Sequence, residues 1–552
     1  MEQVRICALG GLDENGRNMY LIEINQMIFV VEAGFKYPEI DQLGIEYIIP
    51  NFDYISENRD RVKGIFVTHG HDDVMGALPF LLREVDVPIF TTPMTGKIIQ
   101  NYLSKSSEKK AQIKLLKRNG DFQLAGVNFK TFGLNHSVPD AFGIAFETKH
   151  GYIVYAGEFV IDFDVRNPAF ASDITSYAQI GKKGVMCLLS ESSYADRPGH
   201  TAPNHRITEK VEPYFQDAKG RILVTLYKQN MFRLIEILDL AKRFNRNVIF
   251  LNDEMLKMVK MMESLGYYTM PKDLEYPKSS FNNDMNEVVI IVSGGGPEVF
   301  FRMNEIAINE DEMVELRDND TVIIASPIVP GTDIEAAKME NELYKAGVIV
   351  RTLNRKEVVS MHPSVEDLKM FNYLFKPKYY MPIIGEYSKL VQNANIALQM
   401  GYRADHIVVL DNGQVANFID GQLKDTATWI KAEDVMVDGI DNLDSSGMVL
   451  KDREIISKDG VMIIGVALDF NTKKIIAGPD VQTRGLIYLK ESEYIIKDVM
   501  DIVTETVNTM IDENRYSNAD CRLELKDRIS KYISKETGKR PMLLPTIIEV
   551  RN

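Results

Sequence analysis

The stretch Thr68-His69-Gly70-His71-Asp72-Asp73-Val74-Met75-Gly76 decides how the rest of the chain is read. It follows the strand-like run Ile65-Phe66-Val67 and opens a helix-patterned segment over 75–85. Two imidazoles two residues apart on such a turn can converge on one cation, and the carboxylate of Asp73 can serve a neighbouring ion. Borderline and hard divalent metals accept this nitrogen and oxygen set. A His-x-His pair is common by chance, whereas His-x-His-x-Asp between a strand and a helix is much rarer.

Two more donors lie further along at strand ends. His136, in Leu134-Asn135-His136-Ser137, follows the strand pattern over 129–132, and Glu158, in Tyr155-Ala156-Gly157-Glu158, ends the one over 152–156. Each alone reads as an ordinary loop residue. Their order after the first motif makes both candidate metal ligands.

The bulk numbers bound the alternatives. A chain of 552 residues exceeds one hydrophobic core and suggests about three domains. At 45% hydrophobic and 26% charged residues the composition is that of a globular protein. Cys7, Cys187 and Cys521 form no CxxC pair, which excludes a thiolate zinc site and a disulfide framework and points to a reducing cytoplasm. No signal-peptide pattern opens the chain, and the longest apolar runs, such as 461–470, fall well short of a membrane span. A net charge of −15 argues against binding polyanions over the whole surface but leaves room for a local basic channel. Lys105, Lys109, Lys110, Lys114, Lys117 and Arg118 are one candidate patch, weighed against a solvated face.

Residues 1–200 carry short β-branched runs at 28–32, 64–68, 88–91, 129–132, 152–156 and 186–190, which suggests stacked sheets covered by helices. From 203 to 364 the rhythm changes to regular strand–helix alternation, the pattern of a parallel, doubly wound insert. Its glycines 294–296 form a run that can cradle a phosphate at a helix N-terminus, a weak signal on its own. Strand and helix patterns return over 365–442. The Gly/Asp/Ser-rich stretch 438–447 reads as a turn or linker, and the last 100 residues read as a small α/β domain.

Several further motifs make the match more specific. Gly10-Gly11-x-x-Glu14-x-Gly16-x-Asn18-x-Tyr20, Asn135-His136-Ser137-x-Pro139-Asp140-x-Phe142-Gly143, and Leu189-Ser190-Glu191-Ser192 followed by Arg197-Pro198-Gly199 resemble the ribonuclease J family. So do Met381-Pro382-Ile383-x-Gly385-Glu386-Tyr387, Ala477-Gly478-Pro479-Asp480-x-x-x-Arg484-Gly485 and Lys539-Arg540-Pro541-Met542-x-Leu544-Pro545. The resemblance covers essentially the whole chain. It implies a metallo-β-lactamase αββα sandwich with an inserted β-CASP doubly wound α/β domain and a small C-terminal α/β domain. The expected boundaries are 1–202 and 365–442 for the sandwich, 203–364 for the insert, 443–460 for a linker, and 461–552 for a C-terminal oligomerisation domain.

The chain departs from the family pattern at the metal centre. The family motif is His-x-His-x-Asp-His, and its last position here is Val74. The family's later Pro-Ile-His-Gly-Glu-Tyr has Ile384 for its histidine. Glu158 and Glu32 stand where the family has aspartates. With only eight histidines in the chain, no neighbour of 74 or 384 can substitute. By resemblance, His69, His71, His136 and Glu158 retain a first metal position, while a second keeps only Asp73 and a shared Glu158 oxygen. Val358, Val359, Ser360, Met361, His362, Glu191, Asn230 and Arg233 match substrate-binding positions. Ser360 and His362 are expected to meet the phosphate of a nucleotide, with His362 and a residual Asp73 as catalytic groups. Met361 and Pro363 replace glycines that allow close backbone approach.

Two-metal hydrolysis uses both ions, so loss of two ligand histidines predicts weak or absent turnover. The resemblance is therefore to the divergent type-two paralogue of the family, which has a degenerate metal centre. It implies RNA as ligand, and 5′-to-3′ exonucleolytic and sometimes endonucleolytic cleavage in rRNA maturation and mRNA decay as the family activity. At most one tightly held divalent metal, zinc or manganese, is expected per chain. The expected partners are a second copy, in a homodimer or homotetramer, and the active type-one subunit in a heteromer; no membrane partner is expected. A slow one-metal or manganese-dependent ribonuclease is the alternative. The insert and C-terminal domain speak against a small-molecule hydrolase of the same superfamily.

Overall fold

In the computed structural model, residues 1–39, 42–105, 111–329, 331–353, 356, 358–439, 441–442, 448–486 and 493–551 are described. They form two compact units, one of Met1–Pro38 with Glu46–Val437 and one of Glu39–Ile45 with Asp438–Asn552.

The first unit is built on two large sheets. One has eight strands, in the order Gln422–Trp429, Gln414–Ile419, Gln3–Gly10, Met19–Ile24, Met27–Val31, Val62–Phe66, Ile89–Thr91 and Ile113–Leu115. The other has six, in the order Tyr379–Ile383, Val185–Glu191, Gly151–Ala156, Phe142–Thr148, Val127–Gly133 and Gly120–Leu124. Period-two alternation assigns each side chain to a layer. Ile144, Phe146, Ile153 and Tyr155 enter the core shared with Phe29 and Phe66 of the eight-stranded sheet. Ala145, Tyr152 and Val154 face Tyr177, Phe371 and Phe375 on covering helices. The helices Leu78–Glu84 and Pro93–Leu103 cover the other sheet, which completes the αββα sandwich.

The helix expected over 75–85 is two helices, Asp72–Met75 and Leu78–Glu84. The Ala77 amide donates to the Ala33 carbonyl at 2.8 Å instead of to a helical partner, and Pro79 sits in the first turn of the second helix.

The insert is a five-stranded, wholly parallel sheet in the order Asn247–Phe250, Val288–Gly294, Ile222–Tyr227, Thr321–Ile324 and Ile349–Thr352. Ile222, Val224, Leu226, Val289 and Ile291 pack toward the helices Met231–Arg243 and Asp253–Ser264. Leu223, Val288, Ile290 and Val292 pack toward Glu298–Ala307 and Asp333–Lys345. Both faces are covered, as a parallel sheet requires. The glycine run at 294–296 does not offer an anion cradle. The Gly295 amide already donates to Glu298 Oε2 at 3.0 Å, which places a carboxylate where an anion would sit.

Two members of the basic patch are engaged within the chain, while Lys114 and Lys117 are exposed. Arg118 spends its guanidinium on the carbonyls of Ala141, Pro168 and Leu134, and Lys105 pairs with Glu254. Lys109 and Lys110 lie outside the described residues.

The second unit contains a three-stranded sheet in which Val461–Asp469 is central, antiparallel to Ile475–Arg484 and parallel to Met542–Val550. Met462, Ile464, Val466 and Leu468 bury against Val499, Val503 and Val507 of Glu493–Asp512 and Leu525, Ile529 and Ile533 of Asn518–Thr537. The stretch expected as a linker, 443–460, holds the helix Met448–Asp459; 443–447 lie outside the described residues. That helix has no buried residue, so no apolar stripe marked it in the sequence. Among the described residues no helix is long and apolar enough to cross a membrane.

Candidate metal centre

The topology brings chemically active residues to one end of the sandwich. Gly151–Ala156, Val185–Glu191 and Tyr379–Ile383 run parallel with Ala156 opposite Ser190 and Ser190 opposite Pro382. Glu158, Glu191 and Ile384 therefore emerge together at their C-terminal ends. In the other sheet Val31 lies opposite Phe66, so Glu32 and Thr68-His69 also leave parallel strand ends side by side. Gly34 lets the metal helix approach, since a Cβ there would lie 1.6 Å from the Asp73 carbonyl oxygen.

One ligand atom from each of His69, His71, His136 and Glu158 lies within 4.8 Å of all the others. Glu158 Oε2 is 2.9 Å from His136 Nε2, 3.3 Å from His69 Nε2 and 3.4 Å from His71 Nδ1. Each imidazole turns one nitrogen inward. The Thr68 hydroxyl donates to Glu32 Oε1 at 2.6 Å, so its oxygen is left to accept from His69 Nδ1 at 3.0 Å. That fixes the proton on Nδ1 and leaves the Nε2 lone pair facing the cluster. Ser137 Oγ lies 2.8 Å from His71 Nε2 and holds that ring with Nδ1 toward the cluster.

The electrostatics suit a cation. Burial pushes His69 down and His136 down to about 3, so both rings are neutral and keep their lone pairs. Burial alone would raise Glu158, but the close approach of the His136, His69 and His71 rings outweighs it and holds the carboxyl well below the usual carboxylate range. Burial pushes Glu32 up to about 8, against the bonds from Thr68. Three imidazole nitrogens and one carboxylate oxygen are a fitting donor set for one divalent cation.

Asp73 is not one of the four clustered ligands, although its carboxyl is hydrogen-bonded to Glu158. Its Oδ1 is 4.0 Å from His71 Nδ1, and its Oδ2 accepts from Asn18 Nδ2 at 3.0 Å. Burial and the Glu158 carboxylate raise its carboxyl well above the ordinary value. Val74 is 1% exposed and Ile384 3%, and Ile384 packs in the apolar core with Leu12, Tyr20 and Tyr155. Neither offers a lone pair to an ion.

The positions expected to meet substrate divide. His362 Nδ1 lies 2.9 Å from Glu191 Oε2, and its ring is 6.3 Å from that of His136. Burial pushes Glu191 up to about 7. His362 is pushed up to about 10, since the Glu191 carboxylate outweighs the cost of burying an imidazolium. Glu191 itself is buried and also accepts from the Phe159 amide and the Ser193 hydroxyl, so it faces His362 and not a ligand. Arg233 is 2% exposed and donates to the Ala325 and Val359 carbonyls, which makes it a strut under the 358–363 segment. The Asn230 side chain caps the helix Met231–Arg243 by accepting from the Arg233 amide. Val358, Val359 and Met361 are buried, whereas Ser360 and His362 are half-buried and the more accessible members of that segment. Sequence reasoning missed Asn18, Thr68 and Ser137 as supports, although each lies within or beside a quoted motif.

Comparison with known proteins covers the same ground. A model for the metallo-β-lactamase superfamily matches residues 12–227. A model for the ribonuclease J β-CASP domain matches 219–343, and one for the ribonuclease J C-terminal domain matches 448–550. Ribonuclease J 2 of Staphylococcus aureus strain NCTC 8325 is 32% identical over 551 residues, covering 100% of this chain and 99% of that protein. Ribonuclease J 2 of Staphylococcus saprophyticus is similar to the same degree and extent. A crystal structure of a protein of unknown function from Enterococcus faecalis V583 covers 75% of this chain at a TM-score of 0.52 and 14% identity, a likeness of fold alone.

Proposed function

The chain belongs to the ribonuclease J family, and from that premise we propose that it is an RNA-binding assembly subunit with weak or no cleavage activity of its own. One observation carries the proposal: His69, His71, His136 and Glu158 form a complete donor set, while Val74 and Ile384 put only carbon at the second position. Four protein ligands complete a tetrahedral shell and leave no open position for a nucleophilic water. A metal held there supplies positive charge and organises the loops that carry its ligands.

The remaining work falls to the chain's own residues. Ser360 and His362 hold the phosphate of a nucleotide, with Glu191 keeping His362 protonated from behind. The parallel insert forms the second wall of an RNA channel. Through its C-terminal unit the chain joins a homodimer or homotetramer and a heteromer with the active type-one subunit, in the cytoplasm. The assembly acts from the 5′ end, and at times within the RNA, in rRNA maturation and mRNA decay. The bound metal is zinc or manganese, at most about one tight ion per chain.

A second reading is favoured by the intact Glu191–His362 pair, which keeps an acid–base couple near the metal ligands. On that reading the chain is a slow ribonuclease working with one metal, or with manganese. An assay on 5′-monophosphorylated RNA separates the two. The isolated chain leaves the RNA intact, and cleavage appears when the type-one subunit is added. Cleavage by the isolated chain that a His362→Ala change removes would establish the second reading.

A further inference from the structure

Beside His362 lies an aromatic side chain that no motif singled out. Tyr194 follows the strand Val185–Glu191 by three residues. Its ring meets that of His362 edge-on, with centroids 5.3 Å apart, and the Arg197 guanidinium lies 5.4 Å over the same ring. Its hydroxyl oxygen accepts the backbone N–H of Ser360 at 3.3 Å.

That bond changes what Ser360 can offer. A backbone amide on this segment is one of the donors a phosphate would use, and here it is spent on the phenol. The phenol in turn has one proton to give. The Ser360 side chain also lies within hydrogen-bonding reach of the phenol, and no other described residue accepts the phenolic proton. The donor has moved outward from the Ser360 amide to the Tyr194 hydroxyl. Met361 and Pro363 limit close backbone approach on the same segment, so a longer side-chain donor suits the site.

The surroundings favour an anion. His362 carries its proton because of Glu191, and Arg197 lies on the ring. Burial pushes the phenol up, but His362, the bonds from Ser360 and Arg197 together bring it below its ordinary value. A more acidic hydroxyl is a stronger donor to a charged oxygen.

We propose that Tyr194 is a substrate-binding residue whose phenolic proton, together with His362, meets a phosphate of bound RNA. This rests on RNA being the ligand of the site. The test measures binding of a short single-stranded RNA, and of the same sequence with neutral methylphosphonate linkages, by fluorescence anisotropy with chelator present. Wild type is compared with Tyr194→Phe and with Tyr373→Phe, a change at an exposed tyrosine on the helix Val365–Phe375. Tyr194→Phe weakens RNA binding about tenfold, the scale of one hydrogen bond to a charged group. It leaves the methylphosphonate analogue unchanged, and Tyr373→Phe changes neither. Equal or tighter RNA binding by Tyr194→Phe overturns the inference, as does an equal loss on both ligands, which marks a structural role. Wild type that binds no RNA removes the reading underneath and the inference with it.

Discussion

The Ser192 amide donates to the Ile384 carbonyl across 3.0 Å, and the Ser192 hydroxyl donates to the Ile383 carbonyl at 2.9 Å. These bonds tie the end of Val185–Glu191 to the end of Tyr379–Ile383 and hold Ile384 at φ +54°. A β-branched residue in that left-handed region crowds its Cβ against the next carbonyl, at a cost of about 1–2 kcal/mol. Histidine tolerates the region better. The backbone at 384 suits histidine better than isoleucine.

Positions 74 and 384 should therefore respond differently when histidine is introduced into metal-free protein. Ile384→His puts a polar ring into a buried site, at about 2–4 kcal/mol, but it recovers part of the backbone cost of about 1–2 kcal/mol and so loses less. Val74→His lies in a helix with no strain to relieve, and a polar ring in that buried site costs about 2–4 kcal/mol. Urea unfolding of the two variants reads the difference, and an Ile384→His loss as large as that of Val74→His would contradict the strain argument.

Thr68 supports His69 without touching a ligand atom of the cluster. Thr68→Val keeps the shape, removes the hydroxyl between Glu32 and His69, and frees the ring to adopt the wrong tautomer. Metal affinity falls about 10–100-fold, and stability falls by about 1–3 kcal/mol because the Glu32 carboxyl loses a buried donor. Competition with a coloured chelator measures the first effect. An unchanged affinity would mean that His69 is oriented by packing alone.

The Glu191–His362 pair gives stability a defined pH dependence in the metal-free protein. His362 is pushed up to about 10, above its unfolded value of about 6.5. A raised folded value contributes stability that is full below about pH 6.5 and is lost as pH rises toward about 10. His362→Gln is therefore most destabilising near pH 6, and its deficit shrinks toward pH 10. Unfolding curves at the two pH values check the sign; a deficit that grows with pH contradicts it.

The ligand set was legible because each member lies in a short segment at a strand end, where local pattern and chemistry coincide. The supports were less so. Asn18 reaches Asp73 across 55 positions, and Tyr194 reaches Ser360 across 166, so only the fold brings them together. Arg233 matched a substrate-binding position by resemblance, but the fold buries it under carbonyls. The strand Ile349–Thr352 went unread because it is an edge strand with largely exposed residues. The alternation of the insert was plain, because a parallel sheet covered on both faces needs long apolar runs.

His69, His71, His136 and Glu158 form a complete donor set, while Val74 and Ile384 put only carbon at the second position. Metal analysis of the full chain, purified without added metal and dialysed, tests it most directly. About one tightly bound divalent ion per chain is expected, lost when His69 or His136 is replaced by alanine. Two tight ions per chain would contradict it, because Val74 and Ile384 leave nothing but Asp73 and a shared Glu158 oxygen to hold the second.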